Sequence, residues 1–276
     1  MRYEYLIYIK ALSYTYPDGT HALDSIDLEL RRGEFVVLVG PNGSGKSTLS
    51  RHLNGLLKPT KGYLKVMGMD TKDPSNLRKI RQLVGMVFQD PNVQFFGSTL
   101  EEDIAFGLEN LALPASQIRH LVSEALAVTG MENYRYASPG SLSGGQKQKA
   151  AIAGSLAMGS GFLVLDEVTS MLDPKSSREV LNILLSLKKQ GIGLLYITHR
   201  PEEILAADRI LVMDSGKVIA DGLPLAVIRE LGPENGLFEL PPLLHLALKL
   251  EDAGVLQPKD HSLSPKALAE EICRSL

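Results

Sequence analysis

One octapeptide constrains this chain more than any other feature. Gly40-Pro41-Asn42-Gly43-Ser44-Gly45-Lys46-Ser47 fits G-x-x-x-x-G-K-[ST], directly after the apolar run Phe35–Val39 and before a helical stretch that opens near Lys46. Glycines let the backbone turn tightly enough for successive N–H groups to face one anion. The helix N-terminus adds its own positive end. The spacing assigns Lys46 to the β- and γ-phosphates of a nucleotide and the Ser47 hydroxyl to Mg²⁺, with Thr48 next in the same first turn. A phosphate loop of this kind stands between a strand and a helix, so the chain is expected to be α/β with a parallel core.

The rest of the sequence agrees with that frame. Continuous apolar runs, rather than alternating ones, indicate buried parallel strands at Phe35–Val39, Phe162–Leu165, Ile192–Ile197 and Ile210–Met213. Between them, Ile118, Leu121, Val122, Ala125 and Leu126 keep helical spacing and Gly130 follows as a stop. Ser176 to Gln190 reads as a helix closing on Lys188, Lys189 and Gly191. Residues 91–158 lack strand-like runs and are expected to form a helical subdomain inserted in the core. After Pro241-Pro242, a helix with Leu243, Leu246, Ala247 and Leu250 on one face ends at Gly254, and Ser264-Pro265 opens another. The expected division is residues 1–228 as the main domain and 229–276 as a small C-terminal domain.

Composition excludes several classes. The 29 basic and 32 acidic residues leave a net charge of −3, so no positive field points to nucleic acid. A single cysteine, Cys273, makes neither an internal disulfide nor a zinc site. No run approaches the roughly 18 apolar residues of a membrane span, and Tyr5–Ile9 is too short for a signal peptide.

A second phosphate-site element follows the run Phe162–Leu165. Asp166-Glu167 stands where a parallel strand delivers its last side chains to the crevice of an open sheet. Asp166 is expected to partner Mg²⁺ and Glu167 to orient the attacking water. One such acid alone reads as a solvated carboxylate. The pair on an apolar strand, downstream of a phosphate loop, reads as functional.

Leu142-Ser143-Gly144-Gly145-Gln146 then names a class. With the phosphate loop and Asp166-Glu167 in this order, the sequence resembles the ATP-binding cassette (ABC) ATPases, over nearly its whole length. The resemblance implies further positions. Gln89 matches the glutamine that contacts Mg²⁺ and senses the γ-phosphate. Asp173, in Ser170-Met171-Leu172-Asp173, matches the D-loop, and His199 the switch histidine. Tyr16 matches the aromatic residue that stacks on adenine, with Tyr14 the next candidate. Several segments, among them Val87–Asn92, Glu101–Gly107 and Gly144–Lys149, resemble the energy-coupling factor and cobalt/nickel importer ATPases in particular. So does the tail, whose counterpart helps ATPase dimers hold together. Departures are Lys149 in place of arginine, Val168 in place of proline and Met171 in place of glycine.

The resemblance implies a P-loop NTPase fold with a head-to-tail dimer. Ser143, Gly144, Gly145 and Gln146 of one subunit would close over ATP held by Lys46 and Ser47 of the other. It implies ATP and Mg²⁺ as cofactors, with Ser47, Gln89 and Asp166 around the metal. Its partners would be a second ABC ATPase (a copy or a paralogue), transmembrane subunits and a substrate-binding membrane component, with the chain peripheral on the cytoplasmic face of the membrane. Cobalt, nickel and vitamins or their precursors all remain open as cargo. Two other classes compete: a soluble ABC ATPase remodelling nucleic acid or ribosomes, and a regulatory module without hydrolysis. The single cassette and acidic charge argue against the first, and the intact Glu167, His199 and Gln89 against the second. The segment Ser98-Thr99-Leu100-Glu101 reads as a capping box. Its helix is also the expected wall of a groove for a membrane subunit's helix.

Overall fold

The computed structural model describes residues 6–232 and 236–256, together with Leu268 and Cys273. Among the described residues, ten strands alternate with helices. They are β1 (Ile7–Thr15), β2 (His21–Leu30), β3 (Phe35–Val39), β4 (Lys61–Val66), β5 (Met69–Asp70), β6 (Val84–Val87), β7 (Phe162–Asp166), β8 (Gly193–Ile197), β9 (Arg209–Asp214) and β10 (Lys217–Gly222). The helices are α1 (Lys46–Leu53), α2 (Leu77–Leu83), α3 (Leu100–Glu109), α4 (Ala115–Thr129), α5 (Gly144–Ala157), α6 (Pro174–Lys189), α7 (Pro201–Leu205), α8 (Pro224–Leu231) and α9 (Pro242–Asp252).

Six strands form the main sheet in the order β10-β9-β3-β8-β7-β6. All its neighbours are parallel except the β9–β10 hairpin. The four expected strands are all present, each within a residue of its expected ends. Their continuous apolar runs have a clear cause. Val36 and Leu38 of β3 face one core with Val164, Leu195 and Ile197. Phe35, Val37 and Val39 face the other with Leu163, Leu165 and Tyr196. A strand covered on both faces has no position for a polar residue.

The structure adds a second sheet that the sequence reading lacked. β1, β2, β4 and β5 pair antiparallel in the order β2-β1-β4-β5 and close the first core from outside. β1 and β2 change register at three places, with positive φ at Ala11 (47°) and Ser25 (51°). Those irregularities break the alternation by which an antiparallel strand is usually recognised.

Among the described residues, 91–158 contain no strand. α3, α4 and α5 enclose their own core around Leu100, Ile104, Leu126 and Ala153. The capping box of α3 lies one residue later than expected. Thr99 accepts from the Glu102 N–H at 3.3 Å, and Glu102 accepts from the Thr99 N–H at 3.2 Å. This phase points Leu100, Ile104 and Leu108 inward and frees Glu101 to pair with Arg135 at 2.8 Å. α6 begins two residues before the expected Ser176, because Asp173 caps it and Pro174 occupies its first turn.

The expected C-terminal helix is α9, but its buried face is Leu244, Ala247 and Leu248, and the expected Leu246 is exposed. Its Leu244 and Leu248 join the second core, and Arg229 of α8 pairs with Glu251 at 3.0 Å. The expected boundary at 228/229 therefore falls inside α8, whose Val227 and Ile228 are buried. The helix expected from Ser264-Pro265 lies outside the described residues.

Candidate active site

Every expected phosphate-site residue of the main sheet leaves the C-terminal end of a parallel strand. β3 delivers Gly40–Ser47, β7 delivers Asp166 and Glu167, β8 delivers His199, and β6 delivers Gln89. In space β8 lies between β3 and β7, so His199 enters between the loop and the acids although it comes last in sequence. This edge is where an open α/β sheet forms its crevice.

The loop is built for close approach. Gly40 has φ +141°, and a Cβ there would lie 2.0 Å from the Met213 carbonyl oxygen. Gly45 has φ +102°, and a Cβ would lie 2.5 Å from the Ala22 carbonyl oxygen. No other residue type fits these two positions. α1 then starts at Lys46, with Gly45 as its N-cap offering no capping side chain and no acid in its first turn, leaving its first N–H groups for an anion. Ser44 Oγ is buried and has no hydrogen-bond partner. An orphaned hydroxyl on a glycine cradle is what a phosphate-binding loop supplies.

Lys46 is buried, and its Nζ donates to the carbonyl oxygens of Gly40 at 2.8 Å and Pro41 at 2.9 Å. Burial lowers its pKa, and the nearby Glu167 and Asp166 oppose that shift. Ser47 Oγ donates to Asp166 Oδ1 at 3.3 Å. Burial raises the Asp166 pKa first. The Ser47 hydrogen bond lowers it, and the Glu167 charge raises it further. A hydroxyl and a carboxylate held together are hard oxygen donors, which suits Mg²⁺. Among the described residues no group of three or more His, Cys, Asp or Glu could hold a metal, so a cation here needs oxygens from a ligand or water.

Glu167 sits at φ +50°, an uncommon backbone for glutamate, with its N–H donating to the Ile197 carbonyl at 3.0 Å. Its side chain lies 3.3 Å from His199 Nε2 and accepts from Gln89 Nε2 at 3.3 Å. Gln89 also donates to Ser170 Oγ at 3.2 Å. The structure thus brings Glu167, His199 and Gln89 together, and Lys46, Ser47 and Asp166 together. Gln89 contacts Glu167 and Ser170 rather than Asp166 or Ser47.

Tyr16 and Tyr14 separate clearly. The Tyr16 hydroxyl is 2.9 Å from Thr48 Oγ1, at the first turn of α1. Tyr14 packs inward, edge-on to His52 with ring centroids 4.7 Å apart, and joins the first core. Tyr16 lies edge-on to Tyr14 at 4.9 Å.

The signature segment opens α5. Ser143 is its N-cap, with Gln146 reaching back to the Ser143 N–H at 2.8 Å. Ser143 and Gly144 are exposed, while Gly145 is buried. A Cβ on Gly145 would come within 2.8 Å of Ser176 Cβ. Ser176 in turn donates to Asp173 at 2.5 Å, so the α5 start and the α6 cap share one side chain. Lys149 pairs with Glu179 at 2.9 Å, so lysine still joins α5 to α6. Val168 is buried in the second core, and Met171 is exposed.

Two glutamines were missed by the sequence reading. Gln94 accepts from the Phe88 N–H at 3.0 Å, and Gln148 of α5 donates to the Gln89 carbonyl at 2.9 Å. Together they fix the segment carrying Gln89. Neither carried a signal in the sequence, because the burial of Gln148 and the reach of Gln94 depend on how α5 and β6 pack together.

Residues 23–170 match the ABC transporter family. The chain belongs to that family, as one of its ATPases. Relatives align along nearly the full length. The energy-coupling factor transporter ATP-binding protein EcfA of Methanosarcina acetivorans is 51% identical over 269 residues, covering 98% of each chain. The cobalt import ATP-binding protein CbiO of Syntrophus aciditrophicus is 43% identical over 254 residues, covering 91% of this chain and 90% of that protein. A solved structure of cbiO1 from Clostridium perfringens, part of the ABC transporter complex cbiONQ, superposes with TM-score 0.78 at 36% identity, covering 90% of this chain and 95% of that one. The cassette MJ0796, solved as a dimer in a post-hydrolysis state with ADP and Pi, superposes with TM-score 0.72 at 30% identity, covering 79% and 98%. The ABC ATPase fold expected from the sequence is therefore the fold of this chain.

Proposed function

We propose that this ABC ATPase supplies the energy of an importer of the energy-coupling factor or cobalt/nickel type. It would work as a peripheral subunit on the cytoplasmic face of a membrane. The observation that carries the proposal is the gathering of Lys46, Ser47, Asp166, Glu167, His199 and Gln89 at one sheet edge. The names of the relatives, an energy-coupling factor transporter ATP-binding protein and a cobalt import ATP-binding protein, support this reading. Among the described residues no helix is long and apolar enough to cross a membrane, which fits a subunit that docks on membrane components.

In this reading ATP stacks its adenine on Tyr16 and lays its phosphates over Gly40–Thr48. Lys46 leaves its loop carbonyls for the β- and γ-phosphates. Ser47 and Asp166 would hold Mg²⁺, with Gln89 as a further candidate ligand, and the metal would supply charge neutralisation at the phosphate oxygens. Glu167 orients the water that attacks the γ-phosphorus, and His199 steadies the developing charge. Phosphoryl transfer needs mainly such positioning and charge stabilisation. The exposed Ser143 and Gly144 face outward to cover the ATP of a second ABC ATPase, with Gly145 and Gln146 holding the turn and Asp173 beside it. Closing and opening of that head-to-tail dimer is the work delivered. The dimeric state of the MJ0796 cassette supports this arrangement.

A groove in the helical subdomain supports the docking side. It encloses about 580 Å³ and is lined by Phe96, Glu101, Glu102, Phe106, Glu109 and Arg119, among others. Phe96 and Phe106 are exposed. Glu101, Glu102 and Asp103 all have local partners in Arg135, the Thr99 cap and the Phe96 N–H, so helix stability alone accounts for the acids. The exposed aromatics are what a membrane subunit's helix would cover.

The test is a pull-down. Tagged Glu167→Gln is purified from mildly solubilised native membranes with ATP and Mg²⁺, and its partners are identified by mass spectrometry. A transmembrane subunit and a small substrate-binding membrane protein support the importer, and a second ATPase makes the dimer hetero. Ribosomal or DNA-associated partners without a membrane subunit move the reading to a soluble remodelling ATPase.

A further inference from the structure

Beneath Glu167 and His199 lies a buried polar cluster that no phosphate contact uses. Glu203 of α7 is only 3% exposed. Its Oε1 accepts from Thr169 Oγ1 at 2.7 Å, and its Oε2 accepts from the Thr198 hydroxyl. Both threonines are themselves buried. Thr169 Oγ1 lies 2.6 Å from the Tyr196 hydroxyl. Burial, then the Glu203 charge, hold the Tyr196 pKa well above its ordinary value, so Tyr196 keeps its proton. Thr169 gives its single hydroxyl proton to Glu203 and so accepts from Tyr196, and the hydrogen bonds run one way. Thr198 Oγ1 also accepts from the Arg200 N–H at 3.0 Å.

A carboxylate at this depth is costly, and glutamate is almost never fully buried without partners. The partners here stand in telling places. Thr169 lies two residues beyond Glu167, and Thr198 immediately precedes His199. The Arg200 guanidinium extends the tie by donating to the Leu172 carbonyl at 2.9 Å, next to Asp173. Glu167 holds a left-handed backbone, which persists only where its surroundings over-determine it.

We propose that Glu203 is a positioning residue for hydrolysis: one buried carboxylate ties the loop carrying Glu167 to the loop carrying His199 and so sets their 3.3 Å approach. The proposal rests on the roles given above to Glu167 and His199. The hydrogen bonds of the Glu203 carboxylate go to Thr169 and Thr198. It acts through Thr169 and Thr198, so its loss lowers the rate of the chemical step and leaves nucleotide binding intact.

The experiment is steady-state ATP hydrolysis by the full chain, with ATP affinity measured by equilibrium titration. Glu203→Gln is expected to lower kcat about tenfold or more, with KM and ATP affinity within about twofold. Thr169→Val and Thr198→Val lower kcat in the same way, and Thr169→Ser and Thr198→Ser, which keep the hydroxyl, return it to within about twofold of the parent. In a His199→Ala background the further loss from Glu203→Gln is less than about twofold, because the geometry it sets is already gone. A parental kcat in Glu203→Gln overturns the proposal. So does an undiminished loss in the His199→Ala background, or serine variants no better than valine ones. If Glu203→Gln does not fold, the near-isosteric threonine pairs decide alone. Full-rate hydrolysis by Glu167→Gln and His199→Ala would remove both the underlying reading and this inference. Loss in those two with none in Glu203→Gln removes this inference only.

Discussion

Two turns in this molecule look alike in sequence and differ in construction. Gly43-Ser44-Gly45 leads into α1, and Ser143-Gly144-Gly145 leads into α5. The first is interlocked with its own chain. Ser44 and Lys46 are buried, Lys46 is tied to two loop carbonyls, and Ser47 is tied to Asp166. α1 starts with no side-chain cap. The second caps itself through Ser143 and Gln146 and leaves Ser143 and Gly144 in solvent. Of two helix N-termini that can each face an anion, one is the wall of a pocket and the other is a surface to be presented. In the proposed head-to-tail dimer, a site that needs both would be completed between chains rather than within one.

Complementation is the strongest way to break that contrast. Lys46→Ala and Ser143→Arg should each lose nearly all turnover, on the order of 10²–10³-fold. A mixed dimer carries one site with an intact Lys46 facing an intact Ser143, so mixing the two inactive proteins should restore hydrolysis. A mixture as inactive as its components would mean that both turns serve the same chain.

Asp166→Asn sharpens the buried half. Turnover should fall by about 10²-fold or more, the scale of one preorganised electrostatic contact, while the nucleotide-free protein gains thermal stability. The sign follows from the raised pKa. The folded state holds the Asp166 proton more tightly than the unfolded state, so ionising it at neutral pH costs stability. The stability gain should be full near pH 7 and vanish as the pH falls through the folded pKa toward the ordinary value of 3.8. An unchanged Tm at pH 7 would argue against burial as the cause.

The tyrosines come next. Tyr16→Ala should weaken ATP binding by about 1–3 kcal/mol, one stacking contact, with little change in Tm. Tyr14→Ala should lower Tm, because that ring packs on His52 and the first core. The reverse pattern would make Tyr14 the stacking residue.

The smallest effect is a pH slope. His52 is buried in the last turn of α1, and burial holds its pKa below 6.5. On acidification the unfolded chain takes up this proton first, so stability present above pH 6.5 is lost as the pH falls below it. His52→Asn should flatten the urea midpoint between pH 7 and 5.

Much of this was legible in the linear chain, for reasons visible at particular residues. Phe35–Val39 announced a central strand because both its faces are covered. The antiparallel sheet was not legible, because bulges at Ala11 and Ser25 and half-exposed faces blur its period. Gln148 and Glu203 were equally invisible, since a polar residue's burial depends on what packs over it from elsewhere.

The sequence by itself determined the local chemistry. Spacing alone made a phosphate loop of Gly40–Ser47, a strand-end acid pair of Asp166 and Glu167, and a capped small-residue helix start of Ser143–Gln146. Such features depend on backbone geometry over a few residues. Only the tertiary structure decided the neighbours. The sheet order inserts β8 between β3 and β7, which sets His199 against Glu167 and buries Glu203 beneath them. That order is fixed by which apolar faces pack together across the whole chain, and no short window of sequence carries it.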